Sequence, residues 1–190
     1  GKKPYELNCS YIDILSHPKD DKMLRIKRML LTQAVTLAMP GVPGIYFHSL
    51  VGSKSYHEGV KLSGINRTVN REKFNYDRLV ETLSDDNSIE KIIFTAYRRL
   101  ISIRINEKSF NPFGSFEFLS VHKSVFAIVQ GSLDEREYIL ALHNFSNQMI
   151  SFSLPQSIDA ALCDLLSAQK ISKENRVVSM QAYQVMWLKN

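Results

Sequence analysis

The sequence predicts an α/β region followed by an all-β one: a helix–strand–loop–helix unit over residues 1–106, then a small antiparallel β domain over residues 107–190. Three observations carry this. Residues 20–39 and 88–104 repeat apolar side chains at helical spacing. Ile45-Tyr46-Phe47 is a compact apolar run entered through a Pro/Gly turn, the pattern of a strand buried on both faces. Beyond residue 107 the apolar period shortens to two. With 190 residues, 44% apolar and 23% charged, the chain can build one large or two small cores and lacks the composition of a disordered or fibrous protein.

The first helix opens at Asp20-Asp21, where acidic groups meet the partial positive charge of a helix N-terminus, and runs to about Met39. Its apolar residues form two neighbouring stripes (Met23, Ile26, Leu30, Ala34, Leu37 and Leu24, Leu31, Val35, Ala38), so it is expected to be buried on more than one side. Pro40-Gly41-Val42-Pro43-Gly44 ends it and leads into the expected strand at 44–47. Residues 48–87 are rich in Gly, Ser, Asn and Asp and read as a long functional loop. Ser88 then caps a helix whose inner face is Ile89, Ile92, Ile93, Ala96, Leu100 and Ile103. In the β domain the expected strands are 116–119, 125–129, 138–142, 150–154 and 184–188, with a hairpin loop from Gly131 to Arg136.

The net charge of +5 is uneven: residues 1–106 hold 17 basic against 11 acidic side chains, residues 107–190 hold 7 against 8. The basic residues come singly or in pairs, without the stripe or motif of nucleic-acid binding, so no nucleic-acid partner is expected. No membrane partner is expected either, because there is no run of about 18 apolar residues and no basic-then-apolar leader. Cys9 and Cys163 are too few and too far apart for a disulfide framework, which suits a reducing, cytoplasmic setting. His57, His122 and His143 show no metal-ligand spacing, so neither a metal nor a cofactor is expected.

Four segments in order resemble the C-terminal portion of glycoside hydrolase family 13, the α-amylase family, in its sucrose phosphorylase-like branch. They are Pro4-Tyr5-Glu6-Leu7-Asn8, the run from Met39 to Leu50, Asn66-Arg67-Thr68-Val69-Asn70-Arg71, and Tyr183-Gln184-Val185-Met186-Trp187-Leu188. The resemblance implies that residues 1–106 are the C-terminal end of a (β/α)8 barrel: 20–39 its seventh helix, 44–47 its eighth strand, 88–104 its last helix. Residues 107–190 would be the family's C-terminal antiparallel β-sandwich. A complete barrel takes roughly 200 residues or more, so a piece of a longer protein is expected; the missing methionine at Gly1 agrees.

The resemblance also implies a retaining double-displacement mechanism in the intact enzyme, with a sugar and inorganic phosphate as substrates. The carboxylates of that chemistry would lie on barrel strands ahead of residue 1. Glu6, Asp13, Glu58 and Glu72 match none of them, so no catalytic residue is assigned and the chain alone is expected to be inactive. What it would carry is the acceptor or phosphate side. Arg67 stands at the family's acceptor-site arginine, and His48 follows the eighth strand. Arg71 has the planar donor fork that suits phosphate. Tyr5, Glu6 and Asn8 match an acceptor-side loop.

Blander readings stand beside these: a core histidine at His48, a salt bridge at Arg71, loop packing at residues 5–8. His17, before Pro18, reads as a turn residue. Trp187 and the phenylalanines at 116, 118, 126, 145 and 152 are expected in the core. The alternative to an enzyme fragment is a stand-alone β-sandwich that binds carbohydrate or protein. With the rest of the barrel absent, helix 20–39 and strand 44–47 would expose apolar surface, so the chain is expected to dimerise, repack, or associate with the missing barrel portion.

Overall fold

The computed structural model describes residues 7–190. Two compact units divide the chain, one made of residues up to 30 and 44–98, the other of 31–43 and 99–190. Helices α2 (Lys22–Ala38) and α6 (Ile89–Asn106) each contribute to both.

In the first unit, Asp21 Oδ1 accepts from Leu24 N (2.9 Å) and so caps α2. Ser88 Oγ does the same for α6, accepting from Lys91 N at 3.0 Å. A four-residue helix α1 (Tyr11–Ile14) places Ile12 against Ile26, Met29 and Ile93, and these four form the buried core of the unit.

Two expectations fail here. Residues 44–46 form no strand: the backbone at Tyr46 is extended (φ −83°, ψ 133°), but helix α3 (Phe47–Leu50) begins at the next residue. A strand exists only through ladder bonds to a neighbour, and every strand among the described residues lies beyond residue 115. Nor is 48–87 one long loop. It holds α3, α4 (His57–Ser63), a 3₁₀ turn (Asn66–Asn70) and α5 (Tyr76–Ser84). Polar composition conceals these short helices, which rest on local capping such as Asn75 Oδ1 accepting from Arg78 N (3.0 Å) and on αL Gly64 ending α4.

The second unit is built on a six-stranded antiparallel sheet in the order β1-β2-β3-β8-β5-β6 and a two-stranded one, β4-β7. The strands are β1 Phe116–Leu119, β2 Val125–Gly131, β3 Tyr138–Asn144, β4 Ile150–Ser153, β5 Leu162–Asp164, β6 Lys170–Ile171, β7 Val177–Met180 and β8 Val185–Lys189. The expected strands are all present; β5, β6 and β7 are additional, the first two too short to show a period. One core cluster draws on both sheets: Leu140, Leu142, Met186 and Leu188 from the larger, Val178 and Met180 from the smaller. Because side chains alternate, the register fixes the opposite face of the large sheet, with Ile128, Ala141, His143 and Trp187.

The C-terminal end of α2 is closed within this unit by side chains distant in sequence. Arg104 donates from Nη1 to Leu37 O and from Nη2 to Gly41 O (2.6 Å), and Gln130 Nε2 donates to Ala38 O. Arg104 is buried, has no carboxylate partner among the described residues, and lies 5.0 Å over the Phe110 ring. The negative end of the helix dipole balances its charge. Phe110 packs at 4.9 Å on Trp187, which is fully buried as expected. Phe116, Phe118 and Phe145 are not core residues: each is about half exposed. Two of them lie on β1, an edge strand.

Removing Arg104 orphans Leu37 O at the helix end and Gly41 O in the turn that follows. Arg104→Met is expected to lower the unfolding free energy by about 2–4 kcal/mol, with Arg104→Lys recovering only part, in urea denaturation. His143 adds a pH dependence. Its ring is fully buried, with Nδ1 donating to Phe126 O at 3.4 Å. Burial pushes its pKa from 6.5 down to about 4, against the opposing pull of the Phe126 and Ala34 backbone. Between those values the unfolded chain binds a proton that the folded chain refuses, so stability falls as pH drops from 6.5 towards 4. The slope approaches about 1.4 kcal/mol per pH unit. His143→Phe is expected to flatten that slope in unfolding curves measured across this range.

Candidate functional site

In the first unit, the residues after the Pro/Gly turn fold back so that His48 lies among aromatic rings. Its imidazole is 5.0 Å from the Tyr46 ring and 5.0 Å from Phe74, with Phe47 edge-on at 6.3 Å; Phe47 and Phe74 pack at 5.8 Å. His48 Nδ1 is 3.0 Å from the Ser53 hydroxyl, and Ser53 N donates to the His48 carbonyl at 3.0 Å. Burial lowers the imidazole pKa below its usual value, and the Glu72 carboxylate partly opposes that. At neutral pH the ring is therefore uncharged, with one nitrogen to donate and one to accept.

The second side of the cluster comes from the segment after the 3₁₀ turn. Tyr46 Oη donates to Asn70 O at 2.6 Å, and Phe74 packs on His48, so segments 46–53 and 70–74 meet. The turn is braced from behind. Tyr56 N donates to Val69 O (2.7 Å), and the Ser63 and Thr68 hydroxyls are 3.0 Å apart. Gly59 permits this approach: a Cβ there would lie 2.1 Å from the Tyr56 ring and 2.9 Å from the Thr68 methyl.

Of the residues singled out from sequence, His48 stands at the centre of this cluster. Arg67 lies inside the 3₁₀ turn and Arg71 directly after it, both with exposed side chains, at the end of the segment that Tyr46 holds. Asn8 is exposed and lies outside any helix or strand. Tyr5 and Glu6 fall outside the described residues. Asp13 is structural: Ser55 N donates to its Oδ2 (2.7 Å), and Arg25 approaches Oδ1 at 3.5 Å. Burial works to raise its pKa, but the bonds from Ser55 and Ser10 and the Arg25 charge together bring it below the usual value. Glu58 is exposed on α4. No group of three His, Cys, Asp or Glu able to hold a metal occurs among the described residues, and no described helix is long and apolar enough to cross a membrane.

No protein-family model matches the chain. It is 36% identical over 199 aligned positions to glucosylglycerate phosphorylase of Spirochaeta thermophila, covering 99% of this chain and 34% of that protein. With glucosylglycerate phosphorylase of Escherichia coli the identity is 29%, over 99% of this chain and 33% of the relative. A sucrose phosphorylase of Agrobacterium vitis is 31% identical over 60% of this chain and 20% of its own length. Solved structures share the fold: an Anoxybacillus α-amylase (TM-score 0.66, 14% identity, 88% of this chain, 35% of that one) and a MutB mutant in complex with the substrate sucrose (TM-score 0.65, 18% identity, 90% and 40%). The chain belongs to glycoside hydrolase family 13, the α-amylase family. Its match is to a C-terminal portion of the sucrose phosphorylase-like branch, and it spans about a third of the length of the curated relatives.

Of the residues that share the cluster with His48, Phe74 and Ser53 carry no signal in the sequence. Phe74 is 26 positions away with no pattern linking the two, and Ser53 sits in a stretch dense with serines. Tyr46 stands out only as a strand residue, and nothing in the sequence points to the partner of its hydroxyl. Glu72 matches no catalytic position; its carboxylate charge works to raise the His48 pKa against the larger effect of burial. The His48 imidazole is expected to titrate below 6.5 in NMR pH titrations, and lower still in Glu72→Gln, which removes the opposing carboxylate.

Proposed function

We propose that this chain is the acceptor-side and β-domain part of a retaining α-glucoside phosphorylase or closely related glucosyltransferase, with residues 1–106 drawn from the end of a (β/α)8 barrel and 107–190 forming the C-terminal β-sandwich. Support comes from the glucosylglycerate and sucrose phosphorylase relatives, and above all from the meeting of the His48 segment with the loop that carries Arg67 and Arg71.

In a retaining mechanism one carboxylate attacks the anomeric carbon while a second, about 5 Å away, protonates the departing oxygen. The glycosidic C–O bond breaks, a glucosyl–enzyme ester forms, and a phosphate oxygen then displaces the ester to give a glucose phosphate. Both carboxylates belong to the barrel strands ahead of this segment. The residues of this chain act on the partner that leaves or enters. Arg67, with Arg71 beside it, holds an anion, either phosphate or an acceptor carboxylate of the glycerate kind, through charge-assisted paired hydrogen bonds. The uncharged His48 exchanges hydrogen bonds with a hydroxyl, and the rings of Tyr46 and Phe74 offer apolar faces to a sugar. The substrates are a sugar and inorganic phosphate, and the setting is cytoplasmic.

The test is Arg67→Ala in the polypeptide that carries this segment at the relatives' full length. The expected result is a phosphate KM raised at least about tenfold, with hydrolysis of the same glucoside in the absence of phosphate nearly unchanged and Arg67→Lys intermediate. A parallel fall of hydrolysis and phosphorolysis, or an unchanged phosphate KM, would remove Arg67 from the anion-binding role.

A further inference from the structure

The end of α3 fixes two side chains against each other. Gly52 takes a left-handed backbone (φ +62°); its N–H donates to Ser49 O at 3.3 Å, and the next N–H, that of Ser53, donates to His48 O at 3.0 Å. This is a Schellman closure, in which the residue after the glycine frequently packs an apolar side chain on the residue five positions earlier. Here that pair is polar. Ser53 is buried, and its Oγ lies 3.0 Å from His48 Nδ1 and 3.4 Å from His48 O. A hydroxyl has one proton to give. Given to Nδ1, it leaves the pair with one side-chain hydrogen bond. Given to the His48 carbonyl, it frees Oγ to accept from Nδ1–H, and the pair makes two. Nothing else around the ring competes for Nδ1: Tyr46, Phe47 and Phe74 meet it with aromatic rings, and Glu72 acts on it through charge alone.

We infer that Ser53 is a positioning residue that holds His48 in its Nδ1–H form, so that Nε2, which has no partner among the described residues, presents a lone pair and no proton. For its ligand this inference rests on the acceptor-side reading and sharpens it. A lone pair accepts from a hydroxyl and repels a carboxylate oxygen. The hydroxyl end of a hydroxy acid therefore falls to His48, and its anionic end to Arg67. Without Ser53 the ring is free to carry its proton on Nε2, and the discrimination between those two ends is lost.

The test is long-range 1H–15N NMR of the intact chain labelled with 15N-histidine, at a pH well above the imidazole pKa, with the His48 signals assigned by their loss in His48→Gln. Nδ1 is expected to carry the proton in the majority of parent molecules. That excess is expected to fall at least about threefold in Ser53→Ala, which deletes one hydrogen bond, and to survive in Ser53→Thr, which keeps the hydroxyl. The inference is overturned if Nε2 carries the proton in half of the parent molecules or more, a result that needs no variant to fold, or if Ser53→Ala leaves the ratio unchanged. In the polypeptide of the relatives' full length, Ser53→Ala is expected to raise the KM for glycerate in the synthetic direction at least about threefold, with Ser53→Thr close to the parent. An unchanged KM overturns the assignment of the hydroxyl to His48. Neither measurement uses the phosphate KM of Arg67→Ala, so failure here and failure of the anion-binding reading are told apart.

Discussion

A helix that ends inside a protein must find partners for its last carbonyls, and the closure of α2 is the constraint on which the second unit depends. Its terminus is followed by Pro40 and Gly41, with Gly41 at φ +102°, so the chain cannot continue the helix and leaves acceptors exposed. Arg104 from α6 and Gln130 from β2 meet two of those acceptors, Leu37 O and Ala38 O, and Arg104 also binds Gly41 O in the turn that follows. A guanidinium with no carboxylate partner is costly to bury, so the cost is offset only while the helix end and the Phe110 ring both face it. Phe110 in turn seats Trp187, and neutral His143 fills the same face of the large sheet. A charge, an amide and two aromatic groups thus hold one arrangement, and each would be strained by loss of another.

The chemistry of the first unit follows from a different set of constraints. Its candidate site residues sit on short helices and turns fixed by side-chain to backbone bonds and by close packing around Gly59. The result is an uncharged imidazole between aromatic walls, next to a segment bearing two arginines. On the proposed reading such a surface binds and orients a polyhydroxy or anionic molecule. Among the described residues it contains no pair of carboxylates placed for glycosidic cleavage, in keeping with a chain that spans about a third of the phosphorylases it resembles.

Long periodic elements are readable from the residues alone: α2 and α6 with their Asp21 and Ser88 caps, and strands β1 to β4 and β8 from alternation. What escapes has a common cause, which is dependence on partners distant in sequence. Ile45-Tyr46-Phe47 has the composition of a central strand, yet no neighbour among the described residues completes a ladder with it. The helices between residues 57 and 84 are seven and nine residues long, too short to stand out from their polar surroundings. Strands β5 and β6 are three and two residues long, below the length at which a period can be counted, and β7 opens on two adjacent valines that break the alternation. Phe116 and Phe118 have core composition but lie on an edge strand. Within the site, His48 and Arg67 are marked by motif, whereas Phe74 and Ser53 join the cluster only through the fold.

On the proposed reading these residues shape and bind, while the bond-breaking acids lie on other segments of the enzyme. Incubating the purified 190-residue chain with sucrose or glucosylglycerate and inorganic phosphate, and following glucose 1-phosphate by a coupled assay, tests that division of labour most directly. No product above the protein-free control is expected. Sustained turnover by the chain itself would contradict it.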